Sequence, residues 1–168
     1  MRHYKRFMLS ALLASSFGAA HAQEINTVRT LSFDASLEIA KAALEQCRKD
    51  GYQVTVTVLD RLGRTKVVLH DDDANPHTAE NSLRKAYTSL TSRLPSGEYG
   101  KRVVNAPNLV GLLSLDKMTT VEGGLPIRAG KDLVGAIGVS GAPGGDKDAV
   151  CGKAGIDKIA ARIDAPGN

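Results

Sequence analysis

One histidine of this chain stands where its chemistry suits a metal ion. His77 opens a predicted helix, in which Asn75 is expected to be the N-cap and Pro76 the first helical residue. The positive end of the helix dipole favours the neutral imidazole over the imidazolium, and the neutral form ligates iron. His77 is therefore the first candidate for a metal ligand. The alternative is an ordinary histidine at a helix start.

The helix that follows His77 divides into two stripes at about 100° per residue. The stripe predicted to pack on the core consists of Ala79, Leu83, Ala86 and Leu90. The stripe predicted to face outward consists of His77, Asn81, Arg84 and Thr88. We therefore expect a site at a surface groove or at a boundary between subunits, rather than inside the core.

Two cations of this helix are candidates for binding an acidic group. The guanidinium of Arg84 suits a carboxylate because it can donate two parallel hydrogen bonds; the alternative is a solvated surface arginine. Lys85 lies between the two stripes, where it could reach a pocket or the end of the sheet. The alternative for Lys85 is a surface lysine whose stem packs along the helix.

His70 and Tyr99 are weaker candidates for the same pocket. His70 ends a predicted strand and could stand beside His77, but pairing with the acids at 71–73 is the favoured interpretation. Tyr99 lies in an irregular stretch and is expected to close the pocket. The acids lack the spacing of a calcium-binding loop, and two histidines with oxidised cysteines do not complete a four-ligand zinc site.

The first 22 residues have the pattern of a secretory signal peptide. Basic residues within the first six positions precede an apolar run at 7–20 and the small-residue pattern Ala20-His21-Ala22. Cleavage after Ala22 would leave 23–168 as a single exported domain, in the periplasm or secreted. No later run approaches 18 apolar residues, so we expect no membrane insertion.

Removal of the signal peptide changes the charge balance. The full chain carries 22 Lys+Arg against 18 Asp+Glu, a net charge of +4, and three of the basic residues lie in the signal. The remainder has a net charge of +1, which gives no reason to expect a nucleic-acid partner. Of the four histidines, only His70 and His77 remain.

Both cysteines of the chain, Cys47 and Cys151, stay in the exported part. An oxidising compartment permits disulfides, and two cysteines allow only one intramolecular pairing. We favour a Cys47–Cys151 bridge. The alternative is two separate, buried cysteines.

Hydrophobic periodicity predicts a single domain of helices and antiparallel strands. The predicted helices cover 32–50, 75–92, 98–104, 105–113 and 146–163. The predicted strands cover 52–59, 64–70, 119–121, 125–128 and 133–140. Because turns rather than helical crossovers join neighbouring strands, we expect an α/β domain of the α+β type with a largely antiparallel sheet.

Five segments of the exported part form an ordered pattern. They are VTVLDRLGR at 56–64, NPHTAENSLRKAYTS at 75–89, GGLPI at 123–127, LVGAIGVSG at 133–141 and GDKDAVCGKAGI at 145–156. In this order they resemble the GlcG/HbpS-like haem-binding domain family over nearly all of 23–168. The resemblance implies a five-stranded antiparallel sheet flanked by helices in α-β-α layers. It also implies assembly into symmetric homo-oligomers.

The resemblance implies haem as a ligand and an exported protein that carries, scavenges or senses haem. His77 is then the expected axial ligand of the haem iron, with His70 less favoured. Arg84 would meet a propionate, and Lys85 matches a position that the family keeps basic. The alternatives are an enzyme that degrades haem or acts on a small carboxylate, and a non-catalytic oligomeric interaction module.

Overall fold

The computed structural model describes residues 26–163, so the expected signal peptide lies outside the described residues. The helices are α1 (Phe33–Lys49), α2 (His77–Ser92), α3 (Ser96–Asn105) and α4 (Gly145–Ile163), with a 3₁₀ helix at Pro107–Ser114. The strands are β1 (Thr55–Asp60), β2 (Thr65–His70), β3 (Gly124–Ala129) and β4 (Asp132–Ser140). Within 26–163, no helix combines the length and apolar character needed to cross a membrane.

The four strands form one antiparallel sheet in the order β2-β1-β4-β3. β1 pairs with β2 in one hairpin and β3 pairs with β4 in a second, while β1 and β4 join the hairpins at the centre. The predicted α+β architecture with an antiparallel sheet is therefore confirmed. The described part of the chain has four strands where the resemblance implied five.

The segment 119–121, predicted as a strand, does not join the sheet. The N–H of Thr119 donates to the hydroxyl of Thr88 at 2.9 Å. The carbonyl of Val121 accepts from the hydroxyl of Ser96 at 2.7 Å. Because helix side chains occupy these backbone groups, the segment follows α2 and α3 instead of pairing with a strand.

α1 and α4 cover one face of the sheet and enclose the larger apolar core. The N-cap of α1 is Ser32, whose hydroxyl accepts a hydrogen bond from the N–H of Ala35 at 3.2 Å. Cys47 of α1 and Cys151 of α4 form a disulfide with their Cα atoms 5.4 Å apart. The predicted bridge is confirmed, and it joins the first and last helices.

α2 covers the other face, but with a different side from the predicted one. Its inward stripe consists of the buried residues Thr78, Ser82, Lys85 and Ser89. Ala79, predicted to be in the core, is exposed, and Thr88, predicted to face outward, is buried. Ala86 and Leu90 are buried as expected. The inward stripe therefore lies about one residue, or about 100°, from the predicted one.

The sheet accounts for this polar packing. Thr55 of β1 bonds to the hydroxyl of Thr78 at 2.7 Å, and Thr57 bonds to that of Ser82 at 2.8 Å. A Cβ on Gly138 of β4 would lie only 2.0 Å from the carbonyl oxygen of Ser82. The helix backbone thus rests on the strand, and small hydroxyl side chains fit that close contact.

The start of α2 also corrects a prediction. Pro76 is the N-cap, and Asn75 makes no side-chain capping bond. The carbonyl of Asn75 instead accepts from the N–H of Thr78 at 3.0 Å and from its hydroxyl at 2.6 Å. Because the hydroxyl and N–H of Thr78 both bond to the carbonyl of Asn75, this turn closes before the helix. α2 therefore begins one residue later than predicted, and His77 is its first residue.

Candidate functional site

A cleft of about 310 Å³ opens between the N-terminal half of α2, the end of β4 and the glycine-rich loop that leads into α4. We call it the Lys85 cleft. His77 and Asn81 line it from α2, Ser140 lines it from β4, and Lys85 and Asp148 lie at its floor. The structure thus brings two predicted site residues, His77 and Lys85, to one cleft.

Lys85 and Asp148 form a buried ion pair at the floor of the cleft. The ammonium of Lys85 donates to Asp148 Oδ2 at 2.7 Å and to the carbonyl of Val139 at 2.9 Å. The other carboxylate oxygen of Asp148 accepts from the N–H of Ala142 at 3.0 Å. The two side chains are only 1% and 3% exposed. Lys85 is therefore not the surface lysine considered as its alternative.

Burial acts against both charges of this pair. It lowers the pKa of Lys85, and the attraction of Asp148 opposes that shift. It also raises the pKa of Asp148, with the nearby ammonium opposing in turn. A buried ion pair generally costs desolvation that its own attraction only partly offsets. An ion pair of this kind beside a cleft is a candidate for function rather than for stability alone.

A glycine packs against the Lys85–Asp148 ion pair. Gly123 has a φ of +121°, and a Cβ there would lie 2.8 Å from Asp148 Cβ and 2.9 Å from Lys85 Nζ. Only a residue without a side chain can cover the ion pair this closely while keeping a positive φ. The GGLPI motif at 123–127 thus contributes directly to the site.

The upper wall of the cleft is polar. The side-chain amide of Asn81 donates to the hydroxyl of Ser140 at 2.9 Å. His77 lies at the edge of the cleft with an exposed side chain, and no hydrogen bond or ion pair joins it to another described residue. Its imidazole is therefore available to an incoming ligand.

Arg84 and His70 lie outside this cleft. Arg84 pairs with Glu80 at 2.6 Å, one turn earlier on α2. His70 is hydrogen-bonded through Nδ1 to the hydroxyl of Thr55 at 2.6 Å. The hydrogen bond from Arg48 is the main cause of the lowered pKa of Asp71, and the charge of His70 contributes to it. His70 thus interacts both with β1 and with one of the acids at 71–73.

Tyr99 lines a separate pocket of about 290 Å³, which we call the Tyr99 pocket. It is lined mainly by the apolar side chains Leu109, Leu112 and Met118, with Arg102 also on its wall. The hydroxyl of Tyr99 is buried and has no hydrogen-bond partner. The structure therefore places Tyr99 away from His77, beside the C-terminal end of α2.

The sequence prediction missed Asp148. A signal for it was present: Asp148 precedes Cys151 by three residues, so the two share a face of α4, and a disulfide cysteine marks the buried face. A buried acid needs a cationic partner. Among residues 26–163, no three His, Cys, Asp or Glu side chains come together in a way that could hold a metal ion.

Comparisons with known proteins connect these features to a family. The sequence matches the family described as haem degrading protein HbpS-like over residues 31–157. It is 30% identical to Protein GlcG of Escherichia coli K12 over 110 residues, which cover 66% of this chain and 81% of that protein.

Two solved structures have a similar fold. The crystal structure of HbpS matches with a TM-score of 0.76 and 37% identity, covering 83% of this chain and 96% of that one. The crystal structure of a PduOC:haem complex matches with a TM-score of 0.71 and 27% identity, covering 77% and 95%. The family is thus related to haem.

Proposed function

We propose that this chain, which belongs to the HbpS-like family, is an exported haem-binding protein that carries, scavenges or senses haem, with His77 as the axial ligand of the iron. The observation that carries the proposal is the exposed imidazole of His77 at the edge of the Lys85 cleft. Haem iron in proteins is commonly held by a histidine. Bound haem would supply the redox and ligand-binding chemistry.

The residues around His77 fit part of a haem. The cleft offers hydrogen-bond donors and the buried Lys85 ammonium, which suit propionates. Its walls are largely polar, although the exposed side chain of Val121 adds apolar surface. A porphyrin face needs more apolar contact than this wall provides. We propose that a second copy of the chain supplies the opposite wall, in a homo-oligomer.

The Tyr99 pocket is a second location for haem. Its apolar walls and the unpartnered Tyr99 hydroxyl match what a tyrosine-ligated haem requires, and Arg102 could bind a propionate. This pocket lies beside Thr91 and Ser92, about 21 Å along α2 from His77. Because ligand bonds to a metal are about 2 Å long, one iron cannot use both His77 and Tyr99 of the same chain.

A hemin titration followed at the Soret band tests the proposal. Wild type, His77→Ala, Tyr99→Phe and the control His70→Ala are compared. We expect a saturable Soret shift in wild type and in the control. In His77→Ala the shift should be lost, or the affinity for hemin should fall at least about tenfold. If the Soret shift is lost in Tyr99→Phe but not in His77→Ala, the haem binds in the Tyr99 pocket instead. No binding by wild type would refute a haem function.

The Lys85 cleft favours one alternative function. The ammonium of Lys85 is buried and paired with Asp148, so a small carboxylate ligand or substrate would bind it by displacing Asp148. Oxidative degradation of haem is the other enzymatic alternative. Reductant added to the haem complex separates degradation, in which the Soret band decays, from storage, in which the band persists. A small carboxylate as ligand predicts unfolding at a higher temperature in its presence.

Export and oligomerisation can be tested directly. N-terminal sequencing of protein from the periplasm or medium should begin at Gln23, and full-length protein in the cytoplasm would contradict export. Light scattering of the purified protein should give a multiple of the single-chain mass. If His77→Ala alters that mass but not the haem spectrum, the outward side of α2 is an oligomer contact instead.

A further inference from the structure

A second cleft, of about 390 Å³, lies at the opposite end of α2 from His77. The β1–β2 turn, the β3–β4 turn, the C-terminal end of α2 and the segment before α1 meet there. We call it the arginine cleft, because its charged lining consists of Arg29, Arg61, Arg93, Arg128, Lys131 and Asp132. It is separate from the Lys85 cleft and from the Tyr99 pocket.

The arginine cleft has a large charge imbalance. Five cations face one acid, and that acid, Asp132, pairs with Arg29 at 2.9 Å. The side chains of Arg61, Arg93 and Lys131 form no ion pair with any acid among residues 26–163. The cleft therefore carries a net charge of +4, whereas the chain without its signal peptide carries only +1.

Backbone contacts orient the central guanidinium. Arg128 donates from Nη2 to the carbonyl of Arg93 at 3.1 Å and from Nη1 to the carbonyl of Lys131 at 3.4 Å. These bonds orient Arg128 without neutralising its charge. The turn that carries Arg61 is held as well, because the N–H of Arg61 donates to the hydroxyl of Thr30 at 3.1 Å.

Arg93 occupies a costly backbone position. It has a φ of +62° and is the one non-glycine residue with positive φ among residues 26–163. Helices usually place glycine or asparagine at such a position, because the left-handed region is sterically unfavourable for other residues. The negative end of the α2 dipole attracts one or two cations. It does not account for five cations from four separate segments.

We propose that the arginine cleft binds a compound with two or more phosphate groups. Guanidinium forks donate paired hydrogen bonds to phosphate oxygens, and several such groups on different segments suit an anion with several charges. The source of the phosphates is either a free polyphosphate or phosphorylated small molecule, or the headgroups of anionic lipids. Both present the same chemistry to the cleft.

Calorimetry with tripolyphosphate tests the proposal. The double variant Arg61→Gln/Arg128→Gln is compared with the control Lys101→Gln/Lys158→Gln, which removes the same charge from exposed sites elsewhere. We expect wild type and control to bind within about twofold of each other, because salt screens charges beyond about 8 Å. The cleft variant should bind at least about tenfold more weakly. Equal loss in both variants would overturn the proposal.

A second arm distinguishes the two sources. Sedimentation with phosphatidylglycerol vesicles, against phosphatidylcholine vesicles as blank, reports binding to headgroups. Tripolyphosphate binding without sedimentation identifies a free phosphate compound. Sedimentation that the cleft variant loses identifies lipid headgroups. Binding in neither arm refutes the proposal. If the double variant folds poorly, its loss of binding has another cause, so a single variant is also compared. Lys131→Gln alters one exposed side chain and should weaken binding about threefold.

Discussion

Lys85 and Asp148 connect the helices that cover opposite faces of the sheet. Lys85 belongs to α2 and Asp148 to α4, and their charged groups meet at 2.7 Å beside the end of β4. The apolar layers on the two faces are separate clusters. This ion pair is thus a direct polar link between the two sides of the molecule.

Breaking this pair should destabilise the fold strongly. Lys85→Met or Asp148→Asn leaves the other buried group without its partner, and each change should lower the free energy of unfolding by about 3–5 kcal/mol. Urea denaturation at pH 7 measures the loss. Lys101→Met, an exposed lysine on α3, serves as the control and should change the free energy by less than about 0.5 kcal/mol.

The double variant Lys85→Met/Asp148→Leu should be more stable than the sum of the single losses indicates. It removes both charges, so no uncompensated ion remains in the interior. Additive losses would mean that the pair is not energetically coupled. A variant that is stable but binds no small carboxylate in the Lys85 cleft would separate function from folding.

The Arg48–Asp71 pair should make the protein sensitive to acid. Arg48 donates to Asp71 at 2.6 Å and 2.9 Å, and this hydrogen bonding lowers the pKa of Asp71. A carboxyl with a lowered folded pKa stabilises the fold above its unfolded pKa of about 4, and the stabilisation is lost as pH falls through the folded pKa.

Melting temperatures of wild type and Arg48→Met between pH 7 and pH 3 check this sign. Wild type should melt higher at neutral pH, and the difference should shrink below about pH 4. A difference that grows on acidification would contradict the assignment.

Gly138→Ala should destabilise the protein far more than Gly152→Ala. A methyl on Gly138 would meet the Ser82 carbonyl oxygen at 2.0 Å and the Ala86 nitrogen at 2.6 Å. Both are backbone atoms, so α2 must move from the sheet at a cost of about 3 kcal/mol. On Gly152 the nearest atom is Leu125 Cδ1 at 3.4 Å, and alanine is favoured in a helix. Thermal melts of the two variants make the comparison.

Removing the disulfide should cost up to about 4.7 kcal/mol, since it closes a loop of about 100 residues in the unfolded chain. Cys47→Ala/Cys151→Ala should show this loss in urea denaturation. Both cysteines are fully buried, so reductant should cleave the bridge of wild type only as fast as the protein unfolds. Rapid reduction of the folded protein would contradict that burial.

The sheet and helices were predictable because their signals are local. The alternation over 52–59 depends only on neighbouring residues. Gly51, which follows α1, has the positive φ, +83°, that is common at the end of a helix. The segment 119–121 was misassigned because hydroxyls from distant helices occupy its backbone groups. A single sequence does not display such long-range partners.

The site was only partly predictable for a related reason. His77 and Lys85 were found from their places on α2, but the apolar stripe suggested the wrong inward face. The correct face follows from Thr55 and Thr57, which present hydroxyls on one side of β1 and need hydroxyl partners. Asp148 was missed because its pairing spans 63 residues. Tyr99 lines a different pocket from His77, because α3 packs near the C-terminal end of α2 through contacts that a single sequence does not display.

The Cys47–Cys151 bridge determines how the protein would respond to mechanical force. The whole sheet lies between the two cysteines, whose separation in sequence is 104 residues. Tension applied to the two chain ends passes from α1 through the bridge into α4 and bypasses every strand. Stretching the oxidised protein would therefore release only the segments outside the cysteines, including the one that carries Arg29 of the arginine cleft. The four strands would carry no load until the bridge is reduced.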